Sequence, residues 1–92
     1  MNREKTFKFY SDDGHGWLAV KRADLAEFGL LDKISHYSYQ RGDTVYLEED
    51  CDAPKFDAMF RKTFDGAVLT SIGSHKNGRS PIRSYDSFDG GD

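Results

Sequence analysis

The sequence predicts an α+β domain: a small antiparallel sheet, made of two hairpins and a later strand, with two helices packed on one face. In two stretches, apolar and polar residues alternate as they do in half-buried strands. Two other stretches change to a helical period. The chain of 92 residues can build one core, so we expect a single domain over 1–88 and a disordered tail over 89–92.

The first hairpin and the first helix follow from local patterns. "TFKFY" places Phe7 and Phe9 on one side of a strand, "SDDGHG" supplies turn residues, and "WLAV" is a second strand. "KRADLAEFGLL" predicts a short helix that must dock on the sheet to be stable. Gly29 suits a left-handed helix end, with Leu30 as the hydrophobic contact that follows it.

The second hairpin is predicted by two alternating runs in "KISHYSYQRGDTVYLEE". The first run starts at Ile34, and the second contains Val45 and Leu47. A loop of Arg41, Gly42 and Asp43 would join them. We interpret this "RGD" as a hairpin tip rather than as an adhesion motif, because a chain with one cysteine has no internal disulfide and is expected to be cytoplasmic.

The rest of the chain predicts one more helix and one or two strands. The apolar stripe and the early proline of 54–64 indicate a helix. "AVLTSI" predicts a strand, "GSHKNGRSP" a polar loop, and "IRSYDSF" a final edge strand.

Charge and composition disfavour several classes of protein. The formal charge of −3 argues against non-specific nucleic-acid binding, which usually needs a basic excess. A single cysteine cannot form an internal disulfide and fits a reducing compartment. We find no apolar run long enough for a bilayer, no hydrophobic core of a signal peptide, and no Walker, nucleophile-elbow, dinucleotide or zinc motif. We therefore expect a cytoplasmic protein without enzyme activity or cofactor.

The highest density of acidic side chains lies in "YLEEDCDAP", which carries Glu48, Glu49, Asp50 and Asp52. These acids could bind a hard cation, but they lack the regular spacing of a calcium loop. The alternative is that they precede a helix, where carboxylates meet unpaired N–H groups and the positive end of the helix dipole. We favour this second interpretation, with Asp52 as the N-cap and no metal bound.

Cys51 and His15 are the candidates for catalysis. The acids next to Cys51 raise a thiol pKa, which favours a buried, inert cysteine over a nucleophile. His15, beside Asp12 and Asp13, could act as a ligand or a base in a metal-dependent enzyme. A turn histidine between two glycines is more often structural or exposed, and the close spacing of several Cys or His that zinc sites use is absent.

Parts of the chain resemble a family of small proteins from phages, prophages and plasmids, most of which have no assigned activity. The similarity lies in "GHGWLAV", "FGLLDKIS" and "YSYQRGDTVYLEEDCDAP". This resemblance implies a protein that occupies a site on a bacterial host complex, and most sharply an anti-CRISPR protein that blocks a CRISPR–Cas effector in the host cytoplasm. It implies no catalytic residues.

On this hypothesis, acidic groups would compete for basic surfaces that normally hold nucleic acid, and exposed tyrosines would add rigid contact area. The alternative for the tyrosines is ordinary sheet packing. A rival hypothesis is a nucleic-acid-binding accessory protein that uses the basic segment of Lys76, Arg79 and Arg83. For this segment we favour the alternative of a solvated loop. The candidate partner-binding residues are acidic, tyrosine and basic: Asp12, Asp13, Tyr37, Tyr39, Tyr46, Glu48, Glu49, Asp50, Lys76, Arg79 and Arg83.

Overall fold

The computed structural model describes residues 4–64 and 68–90. Along these ranges the chain forms six strands, two α-helices and a 3-10 helix. In chain order they are β1 Glu4–Ser11, β2 Gly16–Lys21, α1 Arg22–Glu27, β3 Tyr39–Arg41, β4 Thr44–Glu48, α2 Ala53–Thr63, β5 Val68–His75, the 3-10 helix Pro81–Ser84 and β6 Asp86–Ser87. The predicted α+β class is confirmed.

The strands form one sheet in the order β5-β1-β2-β4-β3-β6. Neighbouring strands are antiparallel except for β5, which runs parallel to β1. The sheet is therefore mixed rather than wholly antiparallel. The cause is the helix between β4 and β5: a hairpin turn reverses the chain, whereas a helical crossover lets it return in the same direction.

The core fills one face of the sheet, under both helices. Phe7, Leu18 and Leu47 point from the strands toward Phe56 and Phe60 of α2 and are buried with them. The ring of Phe7 meets those of Phe56 and Phe60 edge-on, with centroids 5.3 and 6.1 Å apart. Such packing explains how a chain with few aliphatic residues closes a core.

The predicted ends of α1 and of the second hairpin are largely confirmed. Gly29 has φ 68°, and Leu30 N donates to Leu25 O at 2.8 Å, which closes α1 as expected. Gly42 has φ 57° and lies at the hairpin tip, although the turn contains two residues, Gly42 and Asp43, rather than three.

Two predicted strands are shorter than their patterns indicated. Residues 34–38 form turns instead of the first half of β3, because Ser35 and Ser38 donate hydrogen bonds to Asp52 rather than pairing with a strand. In "IRSYDSF", only Asp86–Ser87 pairs at the sheet edge, and the preceding residues form the 3-10 helix.

The predicted tail over 89–92 is described as far as Gly90, and the rest lies outside the described residues. Asp89 N donates to Gln40 Oε1 at 2.9 Å, so the described part of this stretch contacts the sheet edge. In the described ranges, neither α-helix has the length and apolar character needed to cross a bilayer.

Candidate partner-binding site

The face of the sheet opposite the helices, here called the outer face, carries the candidate site. The strand registers place Tyr10, Trp17, Glu48, Tyr46 and Tyr39 on this face. The segment Ser80–Tyr85, here called the crossing segment, runs over it from the end of β1 to the edge at β3. It divides the outer face into two parts.

Asp12 fastens the crossing segment to the sheet. Its buried carboxylate accepts from Arg83 Nε at 2.6 Å, from Arg83 Nη2 at 2.8 Å and from Ser80 N at 2.8 Å. It also accepts from the backbone of Gly14 and His15. The Arg83 guanidinium holds the pKa of Asp12 well below its usual range, and the backbone hydrogen bonds act in the same direction.

On one side of the crossing segment lies a recess of about 290 Å³, here called the aromatic hollow. Trp17 lies in it and is 2% exposed; the Tyr39 ring packs edge-on at 6.2 Å. Tyr37 is 62% exposed and stacks on His36. The lining consists of aromatic, acidic and thiol groups with one guanidinium: His15, Trp17, Tyr37, Tyr39, Glu48, Asp50, Cys51 and Arg83.

Three carboxylates stand at the edge of the aromatic hollow. One oxygen each from Glu48, Glu49 and Asp50 lies within 4.8 Å of the other two. Glu48 is buried, accepts from the backbone of Asp50 and Cys51 at 2.8 and 2.9 Å, and lies 3.8 Å from His15 Nδ1. Glu48 therefore meets N–H groups ahead of α2, as expected of acids before a helix, but it is buried and not an outward-facing charge.

This arrangement suits a positive charge from outside the chain. Carboxylates held close together repel one another, and an ammonium, a guanidinium or a hard cation would relieve that repulsion. Aromatic rings beside them add attraction for a cation through their negative faces. The ring of Trp17 already takes one such group, because the Arg83 guanidinium lies 5.8 Å from its centroid.

Cys51 is exposed, so the expectation that it would be buried is wrong. Cys51 lies in the turn before α2, two residues ahead of the first helical residue, Ala53. The expectation about its reactivity does agree with the structure: desolvation, with Glu48 alongside, raises the pKa of the thiol. A thiol in that state is a weak nucleophile near neutral pH.

Asp52 occupies the N-cap position of α2, but its side chain makes no capping hydrogen bond. The carboxylate points inward, where it accepts from Ser35 Oγ at 2.7 Å, Ser38 Oγ at 2.5 Å and Lys55 Nζ at 3.0 Å. Burial alone raises the pKa of Asp52, but the hydrogen bonds from Ser35, Ser38 and Lys55 outweigh it and lower the pKa. This carboxylate positions the loop that carries Tyr37.

The other predicted residues do not join the aromatic hollow. Asp13 contacts His75 Nε2 at 3.3 Å and accepts from Gly78 N at 2.8 Å. Tyr46 lies on the far side of the crossing segment. Lys76 and Arg79 are exposed. The basic segment is thus split, because Arg83 turns back to Asp12 while the other two cations stay in the loop.

Sequence reasoning missed Trp17, which packs against Tyr39 and Arg83 in the aromatic hollow. A signal was available, because alternation in β2 places Trp17 on the face opposite Leu18 and Val20. The crossing segment hides Trp17 from solvent, and this segment lies far from Trp17 in the sequence.

Comparison with protein-family models, with curated proteins and with solved structures finds no match for this chain.

Proposed function

We propose that this chain is a non-enzymatic binding protein of a phage or another mobile element that inhibits a bacterial host complex, most sharply a CRISPR–Cas effector. It would do so by taking a lysine or arginine side chain of that complex into the aromatic hollow. The observation that carries the proposal is the meeting of Tyr37 and Tyr39 with the carboxylates of Glu48 and Asp50 in one recess, with Glu49 beside these two acids.

The chemistry of the aromatic hollow matches a basic protein surface. Surfaces that hold nucleic acid are rich in lysine and arginine, and a protein that covers those groups competes with the nucleic acid. Tyrosine is enriched among residues that dominate binding energies, and Tyr37 offers an exposed ring at the mouth of the recess. The resemblance to mobile-element proteins supports a host complex as the target.

The state of the two groups that would be needed for catalysis, the Cys51 thiol and the Glu48 carboxylate, also favours a binding function. The raised pKa of Cys51 makes its thiol a weak nucleophile, and Glu48 already accepts hydrogen bonds from the backbone of Asp50 and Cys51.

The test is a titration of the chain against purified CRISPR–Cas effector complexes, read as binding and as inhibition of target cleavage. The double variant Glu49→Lys/Asp50→Lys should bind at least about tenfold more weakly, with a flatter dependence on salt, because the complementary charges are gone. Tyr37→Ala should cost about 2 kcal/mol, or roughly 30-fold in affinity.

The matched control is Asp32→Lys, a charge reversal at an acid that is 80% exposed and does not line the aromatic hollow. We expect this variant to bind as the wild type does. Asp32→Lys changes the net charge half as much as the double variant does. If it costs about half as much binding free energy or more, only net charge matters and the aromatic hollow is not the site.

A further inference from the structure

The outer face has a second region on the other side of the crossing segment, here called the open face. The registers place Lys8, Ala19 and Tyr46 in one row across β1, β2 and β4. Lys21 and Thr44 form the next row. Two recesses of about 400 and 260 Å³ lie along this region. Neither helix covers it, because both pack on the opposite face of the sheet.

Three tyrosines form a continuous line on the open face. The rings of Tyr10 and Tyr46 are 6.0 Å apart between centroids, and those of Tyr46 and Tyr85 are 5.3 Å apart. All three residues are half-buried, and the guanidinium of Arg41 lies 5.1 Å from the centroid of the Tyr85 ring. Tyr10 and Tyr46 line both recesses, which puts aromatic surface along the whole length of the open face.

The charge of the open face is opposite to that of the whole chain. Lys8, Lys21 and Lys76 are exposed and line the two recesses. Their ammonium groups form no ion pair with any residue in 4–64 or 68–90. The acid that lines the larger recess, Asp24, accepts from the backbone N–H of Lys21 at 3.4 Å. The net charge of the open face is therefore positive, although the formal net charge of the whole chain is −3.

We propose that the open face binds single-stranded nucleic acid, with bases against the tyrosines and phosphates at the lysines. Bases stack on aromatic rings whatever their identity, and lysines beside a line of rings follow the backbone of a single strand. A duplex buries the faces of its bases and could use only the lysines. An acidic peptide could pair with the lysines but would leave the line of three rings without planar partners.

This inference goes beyond the proposed function, because it concerns another surface and another kind of ligand. The two proposals are also separable by experiment. Strand binding is measured with the isolated chain, without a host complex, and the variants that test the aromatic hollow lie on the far side of the crossing segment. A host ribonucleoprotein would offer both ligands, but neither proposal needs the other.

The test is fluorescence anisotropy with labelled oligonucleotides of about ten nucleotides, within the site size of single-strand binders. The probes are RNA, DNA of the same sequence, and the DNA duplex. Three lysine–phosphate contacts predict a logarithmic salt slope of about −2, so binding should weaken about 20-fold between about 50 and 200 mM salt. A preference for RNA or for DNA among the single strands would identify the natural ligand.

Two variants assign the binding to the open face. Lys8→Ala should make the salt slope less steep by about 0.7, because one phosphate contact is lost. Tyr10→Ala should weaken binding about fivefold to 100-fold, whereas Tyr10→Phe should retain it, because stacking needs the ring and not the hydroxyl. A thermal melt of each variant verifies that it is folded.

The matched control is Lys62→Ala, which removes an exposed lysine from α2, on the opposite side of the sheet. We expect it to leave both the affinity and the salt slope unchanged. Three results would overturn the proposal: no binding of either single strand at about 50 mM salt, binding of the duplex as tight as that of the single strands, or equal effects of Lys8→Ala and Lys62→Ala.

Discussion

Replacing Asp52 with alanine tests the central structural claim, that this acid holds the loop 33–38 rather than capping α2. In the folded chain the carboxylate accepts from Ser35 N at 3.1 Å and from the hydroxyls of Ser35 and Ser38. Ser38 is fully buried, with an exposed fraction of 0%. The variant therefore leaves the Ser38 hydroxyl without this acceptor in a place that water does not reach.

The magnitude follows from the number of donors that lose their acceptor. An unsatisfied buried donor costs about 1–3 kcal/mol, so the buried Ser38 hydroxyl sets the loss in the free energy of unfolding at about 1–3 kcal/mol, to which the half-buried Ser35 adds less. In a domain of this size, each kcal/mol lowers Tm by about 4–8 °C. A loss of about 3 kcal/mol would thus lower Tm by roughly 12–24 °C.

Thermal unfolding followed by circular dichroism measures the effect, with Asp57→Ala as the control. Asp57 lies on the same helix and pairs with Arg61 at 3.1 Å, a partly exposed contact worth about 0.3–0.5 kcal/mol. If Asp52→Ala lowers Tm no more than Asp57→Ala does, the inward hydrogen bonds do not hold the loop and the reasoning is refuted.

The pH dependence of the same pair of proteins gives a second readout. The folded pKa of Asp52 lies below its usual value, so its contribution to stability is fully present above the unfolded pKa of about 3.9. That contribution is lost as the pH falls through the lower, folded pKa. The difference in stability between wild type and Asp52→Ala should therefore shrink in that acid range and stay constant above about pH 5.

Three further predictions concern the outer face and its border. Asp12→Asn should loosen the crossing segment, which shifts the emission of the single tryptophan, Trp17, to the red and increases its quenching by iodide; unchanged emission would contradict this. Because the pKa of Asp12 is held low, the wild-type emission should persist at pH values at which ordinary carboxylates protonate and change only as the pH falls through that lower pKa. The thiol of Cys51 should react with iodoacetamide more slowly near neutral pH than in the urea-unfolded chain, with the gap closing as the pH rises, since its folded pKa is raised. Gly16→Ala should destabilise the fold by about 1–3 kcal/mol, because the added Cβ would lie 2.5 Å from a phenylalanine ring. Gly73→Ala, which meets nothing within 4 Å, is the control in the same thermal melt.

Local patterns were sufficient to predict the elements whose hydrogen bonds close within a few residues. The helix α1 with Gly29 at its end, the hairpin tip at Gly42 and the extent of α2 all depend on neighbours in sequence. The parallel pairing of β5 with β1 was not predicted. A strand–helix–strand order favours it, but the pairing itself joins residues from opposite ends of the chain.

The candidate site was predicted only in part, for the same reason. The sequence indicated Tyr37, Tyr39 and the acids 48–50 as binding residues, and the structure brings these into or beside one recess. It did not indicate that Asp52 would turn inward to Ser38. An acid just before a helix looks like a cap in any local window, and the hydroxyls that compete for it lie in another segment.

By itself, the sequence determined the α+β class and most of the secondary structure, because alternation and helical period are properties of short segments. The tertiary structure decided which of those segments lie on the outer face and how they are arranged there. The pairing of Asp12 with Arg83, 71 positions apart, draws the crossing segment over Trp17 and separates the aromatic hollow from the open face. Which charged residues pair depends on how the chain folds, so this ion pair cannot be predicted from a local sequence pattern.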